Sequence, residues 1–283
     1  MLWRSGSAVA RFLGMTSARQ RVAEFWDAHT NEWLDGADSM SDPLPKWFEA
    51  YQGVGPGEVT RHGFPEPFQG DLLGIEHSPR VVVLGLNPGR YEPLFQARNG
   101  IFADEIRQTG SYTKWALGFP YLSSTWTDRM GDNRYHKARL RFARNWLDDP
   151  SAEHRDLLIF ECFPWHSTVI TAPLRPAPEI IDEFVWRPIA EFGGIREVFA
   201  FRRSWDHIAQ ALDLRLTGKW GRGGADYGSA KCVRAVRTYA LPSGQSLVIE
   251  WHQGSAGPPS PSETALLRTA LQGAGSHGPG VSA

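Results

Sequence analysis

VVVLGLNPGRYEP, residues 81–93, decides how this chain is read. Four consecutive apolar residues with three β-branched valines describe a strand buried on both faces, the kind found inside a parallel sheet. The run stops at Gly85, and Asn87, Pro88 and Gly89 follow at once. This turn sets backbone N–H groups and a small amide at the edge of a sheet, where Gly89 lets a ligand approach the backbone. The spacing is neither the G-x-G-x-x-G of a dinucleotide site nor a phosphate loop, because no Gly-Lys-Ser/Thr follows. Taken alone, Asn87 is a turn residue serving its own backbone.

Outward from this stretch, strands alternate with helices. Residues 157–163 (LLIFECF) and 195–201 (IREVFAF) read as further buried strands, and 231–241 with 246–251 as a strand pair joined through Pro-Ser-Gly-Gln. Helical periodicity runs over residues 17–35, 133–147, 178–192, 204–212 and 262–272, with Pro188 ending or kinking the third of these. In the last, Glu263 supports the first turn and Ser262 stands in the N-cap position of an incomplete capping box. Such alternation predicts an α/β fold, a mainly parallel sheet with helices on both faces, whose ligands sit beyond the carboxyl ends of the strands. Three polar clusters fall there: Asn87–Tyr91, Glu161–His166 and His252–Ser255.

The chain has 283 residues and a net charge of −1, with 41% apolar residues. That is enough to bury a large core, and no apolar run approaches a membrane span. Cys162 and Cys232 are too few for a disulfide framework, an iron–sulfur cluster or a four-cysteine zinc site, so no metal or cofactor is expected and a cytoplasmic location is the default. The first 16 residues are expected to form a flexible tail, with Met15 as a possible start. Residues 273–283 are expected to be disordered. Charge is unevenly spread: residues 24–76 hold eleven acids against Lys46 and Arg61, whereas 134–144 hold five bases and no acid. One basic face on a neutral whole suits a phosphate-tracking surface as well as it suits solvated helices.

GLNPG at the end of a core strand resembles the first motif of the uracil-DNA glycosylase superfamily, closest to its mismatch-specific and single-strand-selective branches. WHQGS, residues 251–255, is similar to the family's His-Pro-Ser motif with Gln253 in place of Pro, and residues 198–212 resemble the strand and helix preceding it. The resemblance implies one domain, residues 17–272, around a central, mainly parallel four-stranded sheet. It also implies a monomeric, monofunctional DNA glycosylase that flips a base and leaves an abasic site. Asn87 would orient the attacking water and His252 would donate to the departing pyrimidine. DNA would be held by Pro88, Gly89, Arg139, Arg202, Ser255 and Pro258. Phe102 and Phe95 are candidates for the stacking platform, with Tyr91 walling the pocket.

Where relatives carry an Asn that reads uracil, this chain carries Glu161. An ionised carboxylate only accepts hydrogen bonds, so it is repelled by uracil O4 and suits the N4 amine of cytosine. Because excision of normal cytosine would be lethal, the expected substrate is a modified cytosine, hydroxymethylated or glucosylated as in invading phage DNA. Gln96, Arg98, Asn99 and Asp104 are candidates for contacts to its bulky group. A uracil glycosylase in repair and a non-catalytic DNA- or nucleotide-binding protein are the alternatives.

Overall fold

The computed structural model describes residues 16–221, 234–252 and 257–275. Val81–Gly85 forms strand β2, preceded by a two-residue strand β1 (Phe68–Gln69) and followed by β3 (Leu157–Glu161), β4 (Glu197–Ala200), β5 (Arg215–Gly221), β6 (Arg234–Ala240) and β7 (Ser246–His252). They make one seven-stranded mixed sheet in the order β1-β3-β2-β4-β7-β6-β5. β3, β2, β4 and β7 run parallel, while β1, β6 and β5 are antiparallel to their neighbours.

The α/β class follows the expectation, but a four-stranded sheet is too small. β1 has too few residues to show periodicity. β5 is an exposed edge strand whose Arg, Thr, Gly and Lys residues and bulge between Leu216 and Gly218 break any alternation of apolar and polar residues.

Both faces of the sheet are buried. On β2 alternate residues point to opposite cores: Val82 and Leu84 join Leu158, Phe160, Val198 and Ile249, whereas Val81 and Val83 join Ile159, Phe199, Val248 and the helix residues Phe142 and Leu267. The period of two therefore runs through an unbroken apolar sequence, because both directions lead out of water. The first core is covered by α1 (Ala18–Leu34), α2 (Leu44–Phe48), α3 (Pro93–Gln96), α4 (Ile101–Thr109) and α5 (Tyr112–Leu117). After α6 (Ser124–Met130), helix α7 (Arg134–Leu147) lies on the second core, with Asn133 capping its first turn by accepting from the amides of Tyr135 and His136.

The helix expected over 178–192 is a composite. α8 (Pro178–Ile181) passes through a π-helical turn (Asp182–Trp186) into α9 (Arg187–Ala190). Pro188 has no N–H to give to the preceding turn, and the wider turn before it admits its ring without ending the helix. α10 (Arg203–Ala211) follows β4.

The last helix, α11 (Pro261–Gly275), begins one residue earlier than its sequence pattern suggested. Ser260, not Ser262, is the cap. Its amide donates to Glu263 Oε2 at 2.8 Å while Glu263 N donates to Ser260 Oγ at 3.4 Å, a reciprocal capping box with Pro261 at the first helical position. No helix among the described residues is long and apolar enough to cross a membrane.

Replacing Ser260 by Ala removes one half of this box. The expected loss is about 1 kcal/mol, read as a fall of roughly 2–4 °C in Tm for a domain of this size. A Ser262→Ala control should leave Tm nearly unchanged.

Candidate active site

The parallel pairing sets the site. Phe160, Leu84, Ala200 and Ile249 stand in one row across β3, β2, β4 and β7. Glu161 is one residue beyond this row, Arg202 two, and Asn87 and His252 three each. The sequence clusters thus reach the same carboxyl edge of the sheet. His252 ends β7 with a half-buried side chain, separated from the Asn87 strand by β4, or about 10 Å at ordinary strand spacing.

A cavity of about 490 Å³ opens beyond the end of β2. Its wall includes the turn from Gly85 to Arg90, Gln96, Tyr121 and Trp126, then Tyr135, His136 and Arg139 of α7, and Arg202. Asn87 is fixed within this wall. Its Nδ2 donates to the Ser167 carbonyl at 2.9 Å and to Ser167 Oγ at 3.2 Å. A carbonyl can only accept, so the amide's orientation follows from its partner, and Oδ1 remains as the acceptor that Asn87 contributes to the site. Gly89, also in the wall, has φ of 90°, a conformation that favours glycine.

Glu161 folds back across the end of β2. A methyl at Gly85 would overlap both Glu161 Oε2 and the Tyr135 hydroxyl, so only glycine leaves room for this arrangement. Tyr135 donates to Glu161 Oε1 at 2.7 Å, and Oε2 is buried without a hydrogen-bond partner. Burial pushes the Glu161 carboxyl up to about 7, against the opposing pull of the Tyr135 hydrogen bond and the Arg139 charge. Arg139 lies over the Tyr135 ring, 3.2 Å from its centroid, and donates to the Tyr135 carbonyl at 3.1 Å. Glu161 is therefore not itself a wall residue. Tyr135, which gives its only hydroxyl proton to Glu161, presents oxygen lone pairs in its place.

A second buried acid stands alongside. Glu66 Oε1 accepts from Tyr121 at 2.5 Å and from Gln96 at 2.9 Å, and both donors line the cavity. Burial pushes Glu66 up to about 8, the two hydrogen bonds oppose this, and the nearby Glu161 charge adds to the rise. His136 stacks on Tyr121 with ring centroids 4.8 Å apart and planes 8° from parallel. Burial, reinforced by the Arg139 charge, lowers its imidazole to about 3 and keeps it neutral. Its Nδ1 has no partner.

Of the residues named from sequence, Asn87, Pro88, Gly89, Arg139, Arg202 and Gln96 line the cavity. Arg139 is buried and engaged with Tyr135, so it belongs to the interior of the site and not to a phosphate-tracking surface; Arg202 is exposed at the wall.

Phe95 and Phe102 are fully buried behind Trp126, at 4.6 and 5.9 Å between centroids, and offer no open face. Tyr91 is outside the wall, its ring tilted against His166 where Gly63 leaves space. Arg98 pairs with Asp38, and Asp104 with Arg107. Pro258 lines a different opening, and Ser255 lies outside the described residues.

Sequence reasoning missed Glu66, Tyr121, Trp126, Tyr135 and His136. The Tyr-His pair in the first turn after the Asn133 cap was the available signal, since a cap fixes which residues begin the helix. No family model, curated protein or solved structure matches the chain.

Two outcomes test this geometry. Gly85→Ala should cost about 1–3 kcal/mol through overpacking against Glu161 and Tyr135, measured by urea unfolding. For Glu66 and Glu161 the folded state holds protons that the unfolded chain releases near the ordinary carboxylate range. Their contribution to stability is thus full below about pH 4.5 and is lost as pH rises through about 7 and 8. Glu66→Gln keeps an acceptor for Tyr121 but cannot ionise. It should flatten the fall in the urea midpoint between about pH 5 and pH 8.

Proposed function

We propose that the protein is a monofunctional DNA glycosylase that takes a flipped base into the cavity beyond β2 and hydrolyses its N-glycosidic bond. The observation that carries this reading is Asn87, locked by Ser167 so that Oδ1 is left to accept from a water. N-glycoside hydrolysis passes through a cationic sugar, so it calls for a positioned water and a stabilised leaving base more than for a strong base. An amide oxygen fits the first requirement.

His252, at the same sheet edge but outside the cavity wall, is the candidate donor to the pyrimidine O2 as charge builds there; one such donor is typically worth about 3–4 kcal/mol in the barrier. Tyr121 and Trp126 offer aromatic surface to an extruded base, replacing the expected Phe95 and Phe102. Among the described residues no lysine lines the cavity. That agrees with simple hydrolysis and not with a covalent imine on the enzyme.

The preferred substrate is a modified cytosine, hydroxymethylated or glucosylated, in foreign DNA such as that of a phage. Tyr135, whose hydroxyl proton is given to Glu161, contributes acceptor lone pairs that favour the N4 amine of cytosine over the O4 of uracil. The volume, about 490 Å³, is that of a pocket for a sizeable ligand and leaves room for a substituent on C5.

The test is release of free base from oligonucleotides, single- and double-stranded, containing uracil, cytosine, 5-hydroxymethylcytosine or its glucosylated form. Release from the modified cytosines is expected. Release from uracil alone would make the protein a repair enzyme, and binding with no release from any of them would make it a non-catalytic binder. Asn87→Ala should slow release on the order of 100-fold or more while sparing affinity for the oligonucleotide.

A further inference from the structure

Helices α7 and α11 meet at a second opening, of about 900 Å³, that shares no lining residue with the cavity beyond β2. Four arginines line it: Arg141, Arg144, Arg234 and Arg268. Arg234 is paired with Glu263.

The other three have no carboxylate partner among the described residues. Arg144 Nε donates to the Ala152 carbonyl at 2.8 Å, and Arg268 Nη2 donates to the carbonyls of Asn145 and Trp146. Carbonyls fix a guanidinium in place without cancelling its charge. They leave the terminal nitrogens of Arg144 and Nη1 of Arg268 as donors. Arg141 is exposed.

Two features that would repel an anion here are already occupied. The carbonyls at the C-terminal end of α7 are covered by Arg268, and Asp149 on the rim is held by Arg80 at 2.8 Å and by Ser151. Asp148 is the one rim acid that keeps an exposed, unpaired side chain among the described residues.

We infer that the groove between α7 and α11 is a second binding site, in which Arg141, Arg144 and Arg268 hold the phosphate oxyanions of a polyanion. Guanidinium forks match phosphate oxygens in pairs, and forks already ordered by the backbone lose little freedom on binding. The same chemistry belongs to a nucleic-acid backbone and to a free polyphosphate. The inference stands on these arginines and does not depend on the chemistry of Asn87.

The experiment uses the full chain with two probes: a fluorescently labelled single-stranded oligonucleotide of unmodified bases, read by anisotropy across a salt series, and inorganic tripolyphosphate, read by calorimetry. Arg141→Gln changes an exposed side chain, and Arg141→Gln/Arg144→Gln removes two contacts; thermal melts check that each is folded. The double variant should bind at least one probe roughly tenfold more weakly. If that probe is the oligonucleotide, the slope of log K against log salt should shrink by about 1.4, roughly 0.7 for each lost contact.

Weakening toward the oligonucleotide alone identifies the ligand as nucleic acid, and toward tripolyphosphate alone as a free polyanion. Should the double variant fail to fold, Arg141→Gln decides, with about half the slope change. Asn87→Ala should bind both probes as the parent does, which separates this site from the cavity. Unchanged affinity for both probes and an unchanged salt slope in the folded arginine variants would overturn the inference.

Discussion

A hydrogen in place of a side chain at Gly85 is the constraint on which the candidate site depends. It lets the Glu161 carboxyl turn back over the end of β2 and meet Tyr135 from α7. That contact sets α7 against the sheet edge, with Arg139 beneath the Tyr135 ring and His136 against Tyr121. Any larger residue would separate the carboxyl from its hydroxyl partner, and the wall formed by α7 would have to move.

Two carboxyls buried this close together are an expensive element in a fold. The cost is held down by raising the proton affinity of both, Glu66 more than Glu161, and by giving each a tyrosine hydroxyl, Tyr135 for Glu161 and Tyr121 for Glu66. The same bonds commit both hydroxyl protons inward. The cavity is therefore bordered by oxygen lone pairs, by the neutral His136 and by the fixed amide of Asn87, with two exposed cations, Arg90 and Arg202, at its wall. The lone pairs at its inner end suit a donor-bearing ring, whereas the groove beside α11 is lined by four arginines. If both sites take parts of one nucleic acid, the base and the backbone have separate receptors.

Much of this was legible in the sequence where a single physical signal dominated. The apolar run Val81–Leu84 could only be a buried strand, and the Asn-Pro-Gly turn after it could only lie at the sheet edge. The register that brings Glu161 level with Gly85 was less legible, because the apolar run Leu157–Phe163 continues past Glu161, where the strand ends. What was not legible depended on choices that periodicity does not make. In a cluster of packed aromatics, sequence cannot say which ring has an open face, so Phe95 and Phe102 read as the platform although Trp126 and Tyr121 lie in front of them. Glu66 sits in a Pro-rich loop with no period at all, and its role appears only when β1 pairs with β3. Edge strand β5, polar and bulged, had no apolar pattern to show.

The central claim is that the cavity beyond β2 receives an extruded base with Asn87 beside its glycosidic bond. The most direct test is a crystal structure of the Asn87→Ala variant bound to a short single strand carrying one 5-hydroxymethylcytosine. The account predicts that base inside the cavity, against Tyr121 and Trp126, with its N4 amine toward Tyr135 and its sugar C1′ facing position 87. A base left stacked in the strand outside, with the cavity empty, would contradict it.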